Sequence, residues 1–321
     1  MARTNSSAKA LELVLPATSA NLGPAFDAAA LAFGLYLRLT ATPANDFSIT
    51  AQGRDADVCG NRENHLILNT YREVLEAHKK RIVPVALHIV NEMPIGKGCG
   101  SSAAARLAGI ALAVHFGGLR WTDEQIIGEA SRREHHPDNA AACWIGDLAV
   151  ARMSGPAEAQ AVRVQLKGKW PLLFAVPDHP LSTEQARSVL PSEYSRADAV
   201  INIQNSMMLM AAFIYGRTDL LAAALHDRIH QPFRARLCPL LPALEELVGK
   251  SGVLGVALSG AGPSVLVFLD ARIAPQKTKN LIEAHLKSRS LSAEVFLTEI
   301  AHKGARDQRG WRTRARTRRD R

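Results

Sequence analysis

A glycine-rich stretch between a strand and a helix constrains this chain more than any other feature. The segment Pro94-Ile-Gly-Lys-Gly-Cys-Gly-Ser-Ser102 alternates three glycines and ends in two serines. The apolar pattern indicates a buried strand at 85–90 before it and a helix at 101–116 after it. Glycines let a backbone approach a ligand closely, and the first N–H groups of a helix have no partner inside the helix. The stretch therefore predicts an anion site at a helix N-terminus, the alternative being an ordinary glycine-rich connection capped by serine.

The spacing of this loop differs from the two common nucleotide-binding motifs. It contains no G-x-x-x-x-G-K-[ST], and its order G-x-G-x-G-S-S is not G-x-G-x-x-G. Ser101 and Ser102 lie where a hydroxyl can cap the helix, contact a phosphate oxygen or help to hold Mg²⁺. The helix N-terminus could lower the thiol pKa of Cys99, but without an evident base we do not predict a catalytic thiol.

Length and composition indicate a soluble globular protein of one or two domains. The chain has 321 residues, of which 47% are apolar and 21% charged. It has no evident apolar run long enough to span a bilayer, and its first ten residues lack the apolar core of a signal peptide. Its four cysteines are isolated from one another and lack metal-ligand spacing. We therefore predict a cytoplasmic protein with reduced thiols and no membrane partner.

The positive charge is concentrated at the C-terminus. The net charge is +9, and residues 305–321 supply +6 of it through eight arginines and two aspartates. Such a segment is predicted to be a disordered, solvated tail, with a nucleic-acid or acidic-membrane contact as the alternative. The rest of the chain has no basic patch with interleaved aromatic residues, so nucleic acid is not a predicted partner of the folded part.

The order of predicted elements favours the α+β class. Strands and helices interleave, but several strands follow one another directly, which disfavours a doubly wound parallel sheet. A change of composition near 154–157 predicts a domain boundary. Three loops share small, polar and glycine residues, at 16–27, 94–102 and 259–264. These loops are the expected location of the chemistry.

Five strings in a fixed order identify a family. They are Pro16-Ala-Thr-Ser-Ala-Asn-Leu-Gly-Pro-Ala-Phe-Asp27, Pro94-Ile-Gly-Lys-Gly-Cys-Gly-Ser-Ser-Ala-Ala104, His136-Pro-Asp-Asn139, Gln231-Pro-Phe-Arg234 and Leu258-Ser-Gly-Ala-Gly-Pro-Ser264. Together they resemble the homoserine kinases of the GHMP kinase superfamily, from about residue 11 to 300. The resemblance implies a GHMP kinase fold with an N-terminal domain like ribosomal protein S5 domain 2 at 1–155. It also implies a ferredoxin-like C-terminal domain at 156–304, which leaves the basic tail at 305–321 outside.

The resemblance also implies an activity. It is the ATP-dependent phosphorylation of L-homoserine to O-phospho-L-homoserine, a step toward threonine, with Mg²⁺ as cofactor and a homodimer as the expected assembly. The alternatives are a GHMP kinase with another alcohol as acceptor and a non-catalytic nucleotide-binding homologue. Both keep the same fold.

The family pattern assigns the nucleotide and metal residues. The ATP-binding set is Pro94, Ile95, Gly96, Lys97, Gly98, Cys99, Gly100, Ser101, Ser102, Ala103 and Ala104. Ser102 and Glu134 are the expected Mg²⁺ ligands. Glu129 is the alternative metal-binding acid. The other interpretation of Glu134 is a solvated acid in a stretch of charged residues.

The substrate residues also follow from the resemblance. Asp27 is expected to accept the ammonium group, while Arg187 and Arg234 bind the carboxylate through their planar forks. Asn21 and Asn139 are the expected catalytic pair that orients the hydroxyl, and His136 and Thr183 complete the pocket.

Each of these residues can also be explained by a purely structural role. In that interpretation Arg187 and Arg234 are surface arginines, and His136 is a loop histidine. Asn139 and Thr183 are then helix caps. Asp138 is the nearest carboxylate to the expected hydroxyl position, but turn chemistry explains it equally well, and no general base is assigned.

Three positions depart from the family pattern. Ala25 replaces a glycine, Cys99 a leucine, and His135 a common glycine. If Ala25 needs a positive φ, alanine is strained there. These changes bear on the identity of the acceptor alcohol more than on the fold.

Overall fold

The computed structural model describes residues 9–307. The ten strands of this part are β1 (Leu11–Ala20), β2 (Ala29–Pro43), β3 (Ser48–Gly53), β4 (Val85–Asn91), β5 (Leu148–Gly155), β6 (Glu158–Val164), β7 (Leu172–Pro177), β8 (Val253–Leu258), β9 (Val265–Leu269) and β10 (Ala293–Thr298). Its α-helices are α1 (Ala56–Gly60), α2 (Leu66–Ala77), α3 (Ser101–Gly117), α4 (Asp123–Glu134), α5 (Asp138–Ile145), α6 (Thr183–Ser188), α7 (Arg196–Tyr215), α8 (Leu221–Ala224), α9 (Gln231–Arg234), α10 (Leu240–Glu245) and α11 (Pro275–Ser288).

The first sheet has six strands built around the long strand β2. Its main path runs β3-β4-β2-β5-β6, and β1 pairs with β2 along its length. Only the β3–β4 pair is parallel. The layer that covers this sheet contains α2, α3, α4 and α5, with α3 between α2 and α4. Nine residues of α3 are buried, which explains why apolar residues surround so much of that helix.

The second sheet has the strand order β10-β7-β9-β8, and all its pairs are antiparallel. In chain order this is fourth-first-third-second, with helices after the first and third strands. That is the predicted ferredoxin-like arrangement. Successive side chains of a strand point to opposite faces, so Leu173 packs beneath the sheet with α10 and α11 while Phe174 points toward the N-terminal domain.

One continuous core joins the two domains. The rings of Phe33 on β2 and Phe174 on β7 stack with centroids 4.8 Å apart. Phe213 of α7 packs edge-on to Trp170, with centroids 5.0 Å apart. The Phe33–Phe174 contact crosses between the domains, whereas Trp170 and Phe213 both belong to the C-terminal domain; because the crossing contact is apolar and buried, it helps to fix the cleft between the domains.

The structure moves two predicted boundaries. The domain boundary at 155/156 is wrong, because β5 and β6 form one hairpin of the first sheet and the change of sheet comes after Val164. Strand β1 continues to Ala20, since an irregularity between Pro16 and Ala17 lets pairing with β2 continue through what was predicted to be loop.

The predicted tail begins later than residue 305. Residues Ala305–Asp307 form a 3-10 helix, in which Arg306 pairs with Asp123 at 2.9 Å and Asp307 with Arg163 at 3.1 Å. These ion pairs and the burial of Ala305 hold the three residues on the N-terminal domain. The remainder of the predicted tail, 308–321, lies outside the described residues.

Two of the three departures from the family pattern concern the backbone. Ala25 does not have a positive φ, so alanine is not strained at this position. His135 ends α4 with φ 69°, in the left-handed region where a side chain costs about 1–2 kcal/mol. The glycine typical of the family would avoid that cost.

Candidate active site

Three loops meet in the cleft between the domains. The glycine-rich loop, Pro94–Gly100, lies between the loop after β1 and the loop that joins β8 to β9. The N–H of Thr18 donates to the Cys99 carbonyl at 3.0 Å, and the Ser259 hydroxyl donates to the Gly98 carbonyl at 2.6 Å. The three loops predicted from composition therefore form one surface.

Close packing explains the glycine at position 98. Its φ is +79°, and a Cβ built there would lie 2.5 Å from the Ser259 carbonyl oxygen. A side chain would therefore push the β8–β9 loop away as well as strain the backbone. The loop conformation thus depends on glycine for two separate reasons.

The N-terminus of α3 opens into the cleft without a side-chain cap. Its N-cap is Gly100, with φ 68°, and no side chain of residues 9–307 hydrogen-bonds to the first-turn N–H groups. The cleft, of about 110 Å³, is lined by Gly96, Gly98, Gly100, Ser101 and Ser102 from the predicted ATP-binding set. Uncapped N–H groups at the positive end of a helix dipole suit a phosphate.

Other members of the predicted ATP-binding set lie behind this surface. Pro94, Cys99, Ala103 and Ala104 are buried, Lys97 is half-buried, and none of the five lines the cleft. Burial raises the pKa of the Cys99 thiol far above its usual range, despite the nearby charges of Arg54 and Lys97. The lowered thiol pKa considered from the sequence is therefore wrong, because the side chain points into the core.

The two predicted metal ligands touch each other beside the glycine-rich loop. The Ser102 hydroxyl donates to Glu134 Oε1 at 2.6 Å, and Arg106 pairs with the same oxygen. Both side chains line the cleft. A carboxylate and a hydroxyl oxygen next to a phosphate site fit Mg²⁺, which takes few protein ligands and completes its shell with phosphate and water.

The alternative acid lies elsewhere. Glu129 is 9% exposed and bonds Arg132 and Arg133, with Oε1 2.8 and 3.0 Å from their guanidinium nitrogens. It does not line the cleft. Burial acts to raise the pKa of its carboxyl, but the hydrogen bonds and charges of Arg132 and Arg133 together outweigh it and lower the pKa. Glu129 is therefore a structural ion-pair residue of α4.

Asp27 and Arg187 form an ion pair at the other end of the cleft. Arg187 Nη2 lies 2.8 and 3.0 Å from the two carboxylate oxygens of Asp27. Asp27 has φ 53°, and its N–H donates to the Asn21 side-chain oxygen at 2.9 Å. The pair presents one negative and one positive group at a single position. A zwitterion can engage both of them.

Arg234 is buried behind this ion pair. Its side chain is among the largest fully buried ones, and the residue is 1% exposed. Nε donates to the Ala186 carbonyl at 2.9 Å, and Nη1 to the Gly260 carbonyl at 3.3 Å. Burial and the charge of Arg187 lower the pKa of Arg234 to about 10, against the charge of Asp27. Its charge is shielded from bulk water but borders the cleft, where an added carboxylate would be strongly attracted.

Phe26 supports both guanidinium groups. The guanidinium carbon of Arg187 lies 5.4 Å from the Phe26 ring centroid, and that of Arg234 lies 5.3 Å from it. The same ring stacks on His230 with centroids 5.1 Å apart. Aromatic contacts of this kind hold the two like charges side by side.

The start of α5 supplies the third side of the cleft. His136 Nδ1 lies 2.6 Å from Asp138 Oδ1, which also accepts the Asn139 N–H at 2.7 Å. Burial acts to lower the pKa of His136, but Asp138 and the charges of Asp27 and Glu134 outweigh it and raise the pKa. The second Asp138 oxygen is buried without a hydrogen-bond partner among the described residues.

The two predicted catalytic asparagines differ in how much of their side chain is free. Asn21 donates from Nδ2 to the Gly260 carbonyl at 2.8 Å and accepts from Asp27, so it ties two loops together. Asn139 accepts from the Thr18 hydroxyl at 2.6 Å, and its Nδ2 bonds none of the described residues. Both line the cleft. The Asn139 amide is therefore the better placed to bind a substrate.

Thr183 lines the cleft but does not cap its helix. The cap of α6 is Ser182, whose hydroxyl accepts the Gln185 N–H at 3.1 Å. All seven predicted substrate residues, Asn21, Asp27, His136, Asn139, Thr183, Arg187 and Arg234, therefore line one cleft.

A second cavity, of about 590 Å³, was missed from the sequence. It adjoins the cleft at Gly96, Ser101 and Ser102. Its other lining is largely apolar, from Leu37, Val58, Leu66, Ile67, Ile89, Met93, Ile95 and Ala105, with polar side chains including Asn61, Asn64 and His65. A mainly apolar cavity that continues from a glycine-rich loop suits the flat base of a nucleotide. The only sequence signal was the apolar Ile95 beside the loop.

His230 is a buried histidine in contact with Arg234. Its Nδ1 lies 3.1 Å from Arg234 Nη1 and its Nε2 lies 2.9 Å from the Gly23 carbonyl. Because arginine only donates, Nδ1 must accept and Nε2 must carry the proton. Burial lowers the pKa of His230 from 6.5 to about 4, with Arg234 adding to it and Asp227 opposing it.

The lowered pKa of His230 predicts acid sensitivity. Stability from the neutral ring is present above pH 6.5 and is lost as the pH falls toward 4. In that window we expect His230 to remove up to about 1.4 kcal/mol of unfolding free energy per pH unit. Urea unfolding of wild type and His230→Gln at pH 7, 6 and 5 should show their stability difference shrinking as the pH falls. A difference independent of pH would contradict the assignment.

Comparisons with known proteins agree with this geometry. The family descriptions "GHMP kinases N terminal domain" and "GHMP kinases C terminal" match residues 65–147 and 209–287. A homoserine kinase of Solibacter usitatus is 41% identical over 292 residues, which cover 91% of this chain and 95% of the relative. A homoserine kinase of Synechocystis is 36% identical over 295 residues, which cover 91% of this chain and 96% of the relative. The crystal structure of a homoserine kinase from Cytophaga hutchinsonii shares the fold, with a TM-score of 0.78, 22% identity and coverage of 95% of this chain and 99% of that one.

Proposed function

The chain belongs to the homoserine kinases of the GHMP kinase superfamily, and we propose that its cleft transfers the γ-phosphoryl group of ATP to the hydroxyl of L-homoserine. The product is O-phospho-L-homoserine, a precursor on the route to threonine, and the proposed location is the cytoplasm. The observation that carries the proposal is the position of the Asp27–Arg187 pair in the same cleft as the uncapped N-terminus of α3.

The nucleotide is proposed to occupy both cavities. The apolar cavity receives the base and ribose, and the triphosphate follows Gly96–Gly100 to the first turn of α3. Backbone N–H groups there would bind phosphate oxygens without any side-chain rearrangement. Phosphoryl transfer depends mainly on such positioning and on stabilising the charge of the transferred group.

Ser102 and Glu134 are proposed to hold Mg²⁺ beside these phosphates. The bound ion would supply positive charge that neutralises the phosphate oxygens as the bond to the leaving group breaks. Arg106 already pairs with Glu134 Oε1, which fixes the position of the carboxylate beside the cleft.

The amino acid is proposed to replace the internal Asp27–Arg187 contact with two contacts of its own. Its ammonium group would bind Asp27, and its carboxylate would bind Arg187 together with the buried Arg234. The hydroxyl would then extend toward the Asn139 amide and the phosphate site. Asn21 would act mainly by holding Asp27 in its left-handed conformation. No residue is assigned as general base.

A coupled assay for ADP release tests the proposal directly. L-Homoserine, D-homoserine, L-serine, L-threonine and galactose should be compared at fixed ATP and Mg²⁺, with the product identified by phosphorus NMR. We expect turnover with L-homoserine alone or far above the others. Turnover with a different alcohol only would move the chain to a sister kinase. Calorimetric binding of homoserine without ADP release would indicate a non-catalytic homologue.

A further inference from the structure

The hydrogen bonds of Arg234 leave one nitrogen of its guanidinium free. A guanidinium has five N–H donors in a rigid planar fork. Nε donates to the Ala186 carbonyl at 2.9 Å, and Nη1 donates to the Gly260 carbonyl at 3.3 Å and to His230 Nδ1 at 3.1 Å. Nη2 bonds no residue within 9–307, although the side chain lines the cleft. The protein therefore holds two of the three nitrogens and leaves Nη2 for a ligand.

His230 is the one side chain among these three partners, since the other two are backbone carbonyls. The residue is fully buried, and its ring is held on several sides. Nε2 lies 2.9 Å from the Gly23 carbonyl, and one ring face stacks on Phe26 with centroids 5.1 Å apart. Because the far edge and a face of the ring are both fixed, Nδ1 meets the guanidinium in a defined orientation.

The contact between the two side chains requires a neutral imidazole. An arginine can only donate, so Nδ1 must offer its lone pair, and Nε2 carries the proton that Gly23 accepts. Burial and the charge of Arg234 lower the pKa of His230 to about 4, against the charge of Asp227. The ring therefore accepts from the guanidinium throughout the neutral pH range.

We infer that His230 is a positioning residue of the amino-acid site, which holds the Arg234 guanidinium so that Nη2 stays free for the carboxylate of the substrate. The inference rests on the proposed function, because that function assigns the carboxylate of L-homoserine to Arg234. His230 does not line the cleft, so it acts only through the residues that it touches.

The same ring connects the two halves of the zwitterion site. Gly23 and Phe26 belong to the loop that carries Asp27, the proposed acceptor of the ammonium group, whereas His230 and Arg234 belong to the C-terminal domain. The ammonium and carboxylate groups of an α-amino acid are separated by a fixed distance. A ring that bonds both the loop and the arginine therefore helps to set the matching distance in the protein, which is a form of preorganisation.

The backbone around His230 is fixed without the help of its ring. Asp227 Oδ2 accepts the N–H groups of His230 and Gln231 at 2.8 and 2.6 Å. Gln231 Oε1 accepts the Leu258 N–H at 2.7 Å, which joins α9 to β8. Replacing the ring should therefore leave α9 in place and act mainly on the orientation of the guanidinium.

Two substitutions separate the two edges of the ring. His230→Asn keeps an acceptor near the position of Nδ1 but loses the donor to Gly23, and His230→Gln keeps a donor near Nε2 but loses the acceptor for Arg234. We expect His230→Gln to raise the KM for homoserine about 5- to 10-fold, because the substrate would have to order a guanidinium that the ring now holds. His230→Asn should recover most of this loss. The exposed His226 provides the matched control, and His226→Gln should leave KM unchanged.

A double-mutant cycle tests whether His230 acts through Arg234. In the Arg234→Ala background, His230→Gln should change the KM for homoserine by less than about twofold, because the group that it positions is gone. A purely structural role would instead lower the free energy of unfolding, measured with urea, without this non-additivity in KM. The affinity for ATP, measured by calorimetry, should be the same in both histidine variants and the wild type.

The tautomer of His230 gives a test that requires neither turnover nor a folded variant. NMR of wild-type protein containing isotope-labelled histidine should show Nε2 protonated and Nδ1 unprotonated at pH 7. A proton on Nδ1, equal KM values in His230→Asn and His230→Gln, or additive effects in the cycle would each overturn the inference. A wild type that does not phosphorylate L-homoserine would contradict the proposed function, and the same comparison would then use the acceptor that it does phosphorylate. An acceptor without a carboxylate would overturn the role of His230 as well.

Discussion

Replacing Arg234 by alanine is expected to lower kcat/KM for homoserine by about 30- to 5,000-fold, mostly through a higher KM. Arg234 is 1% exposed and lies beside Arg187, where a carboxylate would be bound away from water. Truncating one partner of a buried, hydrogen-bonded charge pair costs about 2–5 kcal/mol. Steady-state kinetics with homoserine varied at saturating ATP measures the effect as a difference in free energy.

The control variants separate substrate binding from damage to the fold. Arg234 also donates to the Ala186 and Gly260 carbonyls, so its loss should reduce stability as well. The exposed Arg236, two residues along the chain, serves as the matched control, and Arg236→Ala should leave both constants unchanged. Affinity for ATP, measured by calorimetry, should change by less than about threefold in Arg234→Ala. Equal losses for ATP and homoserine would refute the assignment of Arg234 to the amino-acid side.

The sequence predicted the site well where short strings determine both the backbone and the side chains. Asp27 and Arg187 are 160 residues apart, yet both were assigned to the substrate and they form an ion pair in the structure. Ser102 and Glu134 likewise lie in hydrogen-bond contact. Such strings retain information about distant contacts that periodicity and composition do not contain.

Side-chain direction was the main thing the sequence could not predict. Cys99 occupies a loop expected to face the nucleotide, but its side chain turns into the core while its neighbours line the cleft. From the sequence, an exposed position on the surface was an equally valid prediction for Arg234, because isolated arginines are usually exposed. Its burial depends on carbonyl groups from two other segments, those of Ala186 and Gly260. No local pattern contains those partners.

The second cavity shows a different limit. Its walls come from α1, α2, β2 and β4, and none of these segments has an unusual composition. Helix α1 is only five residues long and begins after Asp55 in the left-handed region, so it has no helical periodicity to detect. A cavity is defined by what separate elements leave unfilled, and the sequence of each element alone does not specify it.

Helix α7 shows the same limit. Its 20 residues are long and apolar enough to cross a membrane by length and composition alone, which corrects the expectation that the chain has no such run. Its hydrophobic residues surround the helix, so the sequence alone indicates burial on every side. The structure buries only the face that contains Leu209 and Phe213. The remaining apolar residues become informative only when the fold shows which of them are exposed.

Replacing Glu134 by glutamine is expected to raise the Mg²⁺ concentration needed for half-maximal turnover by at least about 10- to 100-fold. The substitution keeps the size of the side chain and its contact with Ser102 but removes the negative charge that a divalent cation requires. Changes beside a metal site commonly cost this much in metal affinity. Turnover measured across a Mg²⁺ titration at fixed ATP and homoserine gives the shift.

The matched variant for this test is Glu129→Gln, on the same helix. Glu129 is bonded to Arg132 and Arg133 outside the cleft, so its replacement should lower the unfolding free energy while leaving the Mg²⁺ requirement unchanged. Calorimetric titration of ATP with and without Mg²⁺ adds a readout that does not depend on turnover, and Glu134→Gln should lose the increase in affinity that Mg²⁺ gives the wild type. A wild-type Mg²⁺ dependence in Glu134→Gln, or a shifted one in Glu129→Gln, would move the metal site to another acid.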